Sequence, residues 1–100
     1  MNLTPNARVL LIDDAPEIHE IASKLLSNIG LSSLHAYTGQ DGLEVTIREQ
    51  PDVILLDYMM PGLDGLDTLR RLKKCPQTAA VPVIMITAAD DDIVLANAFD

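Results

Sequence analysis

Three aspartates in this sequence stand where short apolar runs stop. Val9-Leu10-Leu11-Ile12 meets Asp13 and Asp14, and Val53-Ile54-Leu55-Leu56 meets Asp57. Four apolar residues closed by an acid read as a strand buried on both faces whose end emerges into solvent. Carboxylates at the carboxyl ends of parallel strands lie where open α/β sheets bind ligands. Three of them within a few ångströms repel one another, and ionising all three without a cation is costly. Mg2+ answers that repulsion: it takes oxygen ligands, keeps some waters and is usually held by one or two carboxylates plus a phosphate. An aspartate beside such a metal can attack a phosphoryl donor and form an acyl phosphate. The metal offsets charge on the transferring group, and a hydroxyl such as that of Thr87 can hydrogen-bond a phosphoryl oxygen. Taken singly, Asp14 reads best as a helix cap. Asp57, which closes an apolar run ahead of Tyr58-Met59-Met60-Pro61-Gly62, does not, and the three acids together read as a site.

The elements that must position these acids follow from the pattern around them. After the first strand, Pro16 suits the first turn of a helix, with Asp14 as its cap. Ile18, Ile21, Ala22, Leu25, Leu26 and Ile29 recur at helical spacing, and Gly30 ends the stripe. Ser32–Tyr37 alternates like an edge strand, and Gly39–Gln50 is a short helix with Leu43 and Ile47 inward, stopped by Pro51. Val53–Leu56 is the next buried strand. Leu66, Leu69 and Leu72 mark the core side of a third helix, with Arg70, Arg71, Lys73 and Lys74 in its last turns, as the helix dipole favours. Pro82 opens the strand Val83–Ile86, which ends at Thr87. Ala88–Asp92 then leads into a predicted fourth helix, Ile93 to Phe99. Strand–helix alternation of this kind gives an α/β fold, a doubly wound parallel sheet with helices on both faces and strand order 2-1-3-4. In that order the first and third strands are neighbours. Asp13, Asp14 and Asp57 gather at one lip, with Thr87 beside them.

Bulk properties narrow the function. One hundred residues give one domain with one core. A net charge of −8 and a pI near 4.4 argue against direct contact with nucleic acid or an anionic membrane. The lone Cys75 fits a reducing compartment. The N-terminus lacks a signal-peptide pattern, and no apolar run approaches the ~20 residues that span a bilayer. The expected setting is soluble and cytoplasmic.

The stretches Val9–Asp14, Leu55-Leu56-Asp57-Tyr58-Met59-Met60-Pro61-Gly62-Leu63-Asp64-Gly65 and Pro82-Val83-Ile84-Met85-Ile86-Thr87-Ala88 resemble the receiver domain of two-component response regulators. Three separate segments match in order, and the resemblance covers the whole chain. It implies a flavodoxin-like receiver fold and a signalling role rather than metabolic turnover. The phosphoryl group would pass from the phosphohistidine of a histidine kinase or phosphotransfer protein to Asp57. Mg2+ would be held by Asp13, Asp14, Asp57 and the backbone carbonyl of Met59, with Thr87 as the switch hydroxyl. An output domain or effector protein would read the switch. In the family a fifth strand ending in Lys-Pro and a fifth helix follow. The chain therefore reads as a receiver, residues 1–100, that is C-terminally incomplete and lacks the fifth β/α unit.

Two expectations attach to that shortfall. Without the family's lysine, which pairs with the phosphoryl group, phosphorylation should be weaker, since one contact to a developing charge is typically worth ~3 kcal/mol. With Val83–Ile86 as a bare edge, the chain should self-associate through the fourth strand or fourth helix. An alternative function is a receiver-like dimerisation or interaction module that is not phosphorylated. A phosphohydrolase of the haloacid dehalogenase type ranks lower, because it wants a second aspartate where Met59 stands.

Other polar residues read as structural. His19 is expected to be a solvent-facing helical histidine, and His35 a surface or half-buried one. Asp64 and Asp67 should cap and charge the third helix, and Asp90, Asp91 and Asp92 the fourth. By the family resemblance, Met59 and Ala89 flank the water path to the acyl phosphate. Neither can orient a water by hydrogen bonding, which predicts slow self-hydrolysis in an intact version with the fifth β/α unit.

Overall fold

The computed structural model describes residues 6–60, 64–89 and 92–97, with the backbone alone for 87–89 and 92–97. In chain order the elements are β1 (Arg8–Ile12), α1 (Pro16–Asn28), β2 (Ser32–Ala36), α2 (Gly39–Glu49), β3 (Val53–Asp57), α3 (Gly65–Lys74), β4 (Val83–Ala89) and β5 (Asp92–Asn97). The sheet order is β2-β1-β3-β4-β5. The first four strands are parallel, as the strand–helix alternation requires, and Ile12 lies opposite both Ala36 and Leu56.

The last element departs from expectation. The segment predicted as a helix from Ile93 is the strand β5, antiparallel to β4, with Ile84 opposite Asn97 and Ala89 opposite Asp92. A short apolar run such as Ile93-Val94-Leu95 does not distinguish helix from strand by periodicity. The β-branched pair favours the pleated form. The unpaired edge of β4 settles it, because pairing satisfies a row of backbone donors and acceptors. Only two residues separate the strands, a separation that antiparallel pairing permits and parallel pairing does not. β4 is therefore not a bare edge, and no fourth helix exists among the described residues. Neither surface expected to carry self-association is present in that form. The end of the predicted helix, residues 98–100, lies outside the described residues.

Strand alternation assigns the faces. Leu10, Ile12, Leu34, Ala36, Ile54, Leu56, Val83 and Met85 point to one side, where Leu43, Val45, Leu66, Leu69 and Leu72 of α2 and α3 cover them. Leu10, Ile12, Ile54, Leu56, Leu72 and Val83 are fully buried. Each such side chain contributes ~1.5–3 kcal/mol relative to exposure. Ile47, expected inward, is 40% exposed, and the buried positions on α2 are Gly39, Gly42 and Thr46, the last with its hydroxyl donating to the Gly42 carbonyl at 2.7 Å. The opposite face meets α1. There Ile21, Leu25 and Ile29 are 56%, 62% and 70% exposed, so among the described residues the predicted stripe is only partly covered.

The helix ends follow local chemistry. Thr38 caps α2 by accepting from the Asp41 amide at 3.1 Å, and Asp64 caps α3 by accepting from the Asp67 amide at 2.9 Å. Arg71, Lys73 and Lys74 occupy the last turn of α3. At α1 the expectation for Asp14 fails: Ala15 is the cap residue, and no side chain caps it. Pro16 has no N–H and so needs no acceptor there, and the neighbouring Asp13 carboxylate takes the Ala15 amide at 2.9 Å.

Candidate metal and phosphoryl site

β1 and β3 are adjacent and parallel, so the residues that follow Ile12 and Leu56 emerge side by side at one lip of the sheet. Asp13, Asp14 and Asp57 each bring a carboxylate oxygen to this point, all within 4.8 Å of one another. Among the described residues this is the one convergence of three or more acidic, histidine or cysteine ligands. Asp13 and Asp57 are half-buried and Asp14 is exposed.

Asp13 is held on every side. Its amide donates to the Ala36 carbonyl at 3.1 Å, its Oδ1 accepts from the Ala15 amide, and its carbonyl oxygen lies 2.8 Å from His19 Nε2. Asp57 Oδ1 accepts from the Met59 amide at 3.1 Å. Desolvation pushes the Asp57 carboxyl above the ordinary carboxylate range, the Met59 amide opposes this, and the charges of Asp13 and Asp14 add to it. Desolvation likewise raises Asp13, against the Ala15 amide and with the charge of Asp14. The site destabilises its own negative charge, which is the condition a cation relieves.

Gly65 lets the next helix start close to Asp57. A Cβ at this position would meet the Asp57 carbonyl oxygen and stand 2.6 Å from the Tyr58 Cα, both backbone atoms that cannot swing aside. The first residue of α3 therefore packs directly under the turn that presents Asp57. On the other side of the acids, a groove of about 710 Å³ opens between Ile18, Leu25, Met59 and Ile86. Met59 is 68% exposed at its rim.

Thr87 lies near the carboxyl end of β4, one residue beyond Ile86, whose carbonyl accepts from the Tyr58 amide at 3.0 Å. Its side chain lies outside the described residues, as do those of Ala89 and the Asp90–Asp92 cluster. Lys73 is engaged at the far end of β4, donating to the Ala79 and Val81 carbonyls at 3.4 Å.

His19 is not the solvent-facing residue expected from its helix. It is 3% exposed, with Nδ1 2.6 Å from His35 Nδ1 and the Tyr37 ring 4.1 Å away, centre to centre. His35 Nε2 lies 3.1 Å from Ser23 Oγ and 3.0 Å from Ser33 Oγ. The missed signal is a matched pair of periods. Ser33 and His35 alternate onto the α1 face of β2, while His19 and Ser23 share one face of α1 four residues apart. Burial and the neighbouring His19 both hold His35 below the ordinary histidine range, burial being the larger cause.

Comparison with known proteins places these features in a wider set. The response regulator receiver domain model matches residues 9–100. Protein PilH of Pseudomonas aeruginosa is 40% identical over 87 residues, covering 86% of this chain and 71% of that protein. The DNA-binding dual master transcriptional regulator RpaA of Synechocystis is 40% identical over 81 residues, covering 81% of this chain. The chain spans only 34% of RpaA's length. Among solved structures, the N-terminal domain of a response regulator receiver protein from Methanoculleus marisnigri superposes with a TM-score of 0.80 at 38% identity, over 82% of this chain and 67% of that one.

Proposed function

The chain belongs to the response regulator receiver family, and from that premise we propose that Asp57 is its phosphoacceptor, in a single receiver domain formed by residues 1–100. The observation that carries this is the convergence of Asp13, Asp14 and Asp57 oxygens within 4.8 Å at the ends of adjacent parallel strands. The donor set fits a hard divalent cation: all oxygen, partly open to solvent, and short of positive charge. Asp13, Asp14, Asp57 and the Met59 backbone carbonyl would hold Mg2+. When bound, it offsets the charge of the acids and of the phosphoryl oxygens.

The residues divide the work. One Asp57 oxygen attacks the phosphorus of a phosphohistidine on a histidine kinase or phosphotransfer protein. A P–O bond forms, the P–N bond breaks and its electron pair leaves with the imidazole. The Met59 amide holds the other Asp57 oxygen, while the Thr87 hydroxyl donates to a phosphoryl oxygen. Asp57 thus catalyses its own modification, and an output domain or effector protein reads the result.

Acetyl phosphate with Mg2+ tests the reading. Intact mass should show one added phosphoryl group, lost in Asp57→Asn and on chelation of the metal. A chain that stays unlabelled, or an Asp57→Asn variant that labels equally, would overturn it and leave an interaction module that works without phosphate.

A further inference from the structure

We propose that His19 is a positioning residue for the cation site: it fixes Asp13 from behind through a proton-ordered chain running from β2 to the Asp13 carbonyl. This rests on the reading of Asp13 as a ligand and extends it to residues outside the acid cluster.

Proton bookkeeping sets the direction of the chain. The Asp13 carbonyl can only accept, so the contact at 2.8 Å requires a hydrogen on His19 Nε2. In the neutral ring, His19 Nδ1 is then an acceptor. It faces His35 Nδ1 at 2.6 Å, so His35 must carry its hydrogen on Nδ1. That leaves His35 Nε2 as an acceptor with one lone pair, which takes the hydrogen of one of the Ser23 and Ser33 hydroxyls at 3.1 and 3.0 Å, while the other serine can donate to the first at 3.2 Å. With both rings neutral the donors therefore run in one direction: a serine to His35, His35 to His19, and His19 to Asp13. The Tyr37 ring against His19 holds the plane in which this donor points.

The target matters as much as the donor. Asp13 has its amide tied to Ala36 and its carboxylate to the Ala15 amide. The His19 bond supplies the remaining restraint, on the peptide plane that leads into Asp14. Fixing that plane fixes the relative position of two of the three acids. Partners of this kind, one bond removed from a ligand, typically change metal affinity by 10–100-fold when lost.

Two measurements test the proposal on the full chain. Mg2+ affinity by calorimetric titration should weaken about tenfold or more in His19→Leu, which leaves the Asp13 carbonyl without a partner. His19→Gln, which restores an amide donor, should recover most of the loss. Rescue separates positioning from bulk packing, because glutamine fills the space no better than leucine. In the unsubstituted chain, long-range 15N correlation spectra should show His19 as the Nε2–H tautomer and His35 as the Nδ1–H tautomer near pH 8. The opposite tautomers would overturn the chain of donors even if the leucine variant did not fold. Unchanged Mg2+ affinity in a folded His19→Leu, with affinity lost in Asp13→Asn, would sink the positioning role alone. Unchanged affinity in Asp13→Asn would sink the site reading beneath it.

Discussion

Asp57 is a carboxylate kept where it would rather not be charged. Its raised pKa and that of Asp13, caused first by desolvation, mean that the folded chain binds protons more tightly there than the unfolded chain. That contribution makes stability fall as pH rises above the ordinary carboxylate range. In metal-free buffer, Asp57→Asn should therefore raise the urea midpoint, and it should abolish the stabilisation by Mg2+. In the parent chain that stabilisation should reach about 1.4 kcal/mol at a tenfold excess over Kd. His35 works with the opposite sign. Its folded pKa is depressed, so the unfolded chain takes up the proton first, and stability is lost as pH falls through about 6.5. Urea titrations at pH 8 and pH 5.5 should show that loss in the parent chain and a smaller one in His35→Gln. Met59 carries a third expectation, since a thioether cannot orient a water beside the acyl phosphate. Met59→Asn should shorten the phosphoryl lifetime, by up to about 10²-fold, the low end of proton-transfer effects. Decay of the labelled species followed by mass would check it.

The elements place these residues by close approach as much as by topology. Gly65 opens α3 against the backbone of Asp57 and Tyr58, so Gly65→Ala must push helix and turn apart. A cost of about 1–3 kcal/mol in stability is expected, together with slower labelling of Asp57, readable by denaturant titration and by intact mass. The positions of β1, β3 and the acids were legible because a run such as Val53–Leu56 is long enough, and bounded sharply enough, to mean one thing. The Asp64 cap was legible for the same local reason. β5 was not, because Ile93-Val94-Leu95 carries no period of its own and took its conformation from the edge of β4. His19 was misread for a related reason: its burial depends on His35 of β2 and on Tyr37 in the bend just after that strand. A helix pattern cannot report what a strand presents to it.

At the scale of the molecule, charge and order of assembly are what remain. A net charge of −8 on 100 residues makes the compact state repel itself, and ions screen that repulsion over ~10 Å at 0.1 M. Raising NaCl from low concentration should move the denaturation midpoint upward, and Asp57→Asn should reduce the salt response. A midpoint indifferent to salt would show that the acids are already compensated. The sheet order β2-β1-β3 has a consequence in time. During synthesis, β2 follows β1 closely, but β3 leaves the ribosome about forty residues after β1, a delay of a few seconds at roughly 5–20 residues per second. Asp13 and Asp14 can thus be set against β2 and α1 before Asp57 exists to repel them. The most strained group of charges is completed only when two strands and two helices have already been made.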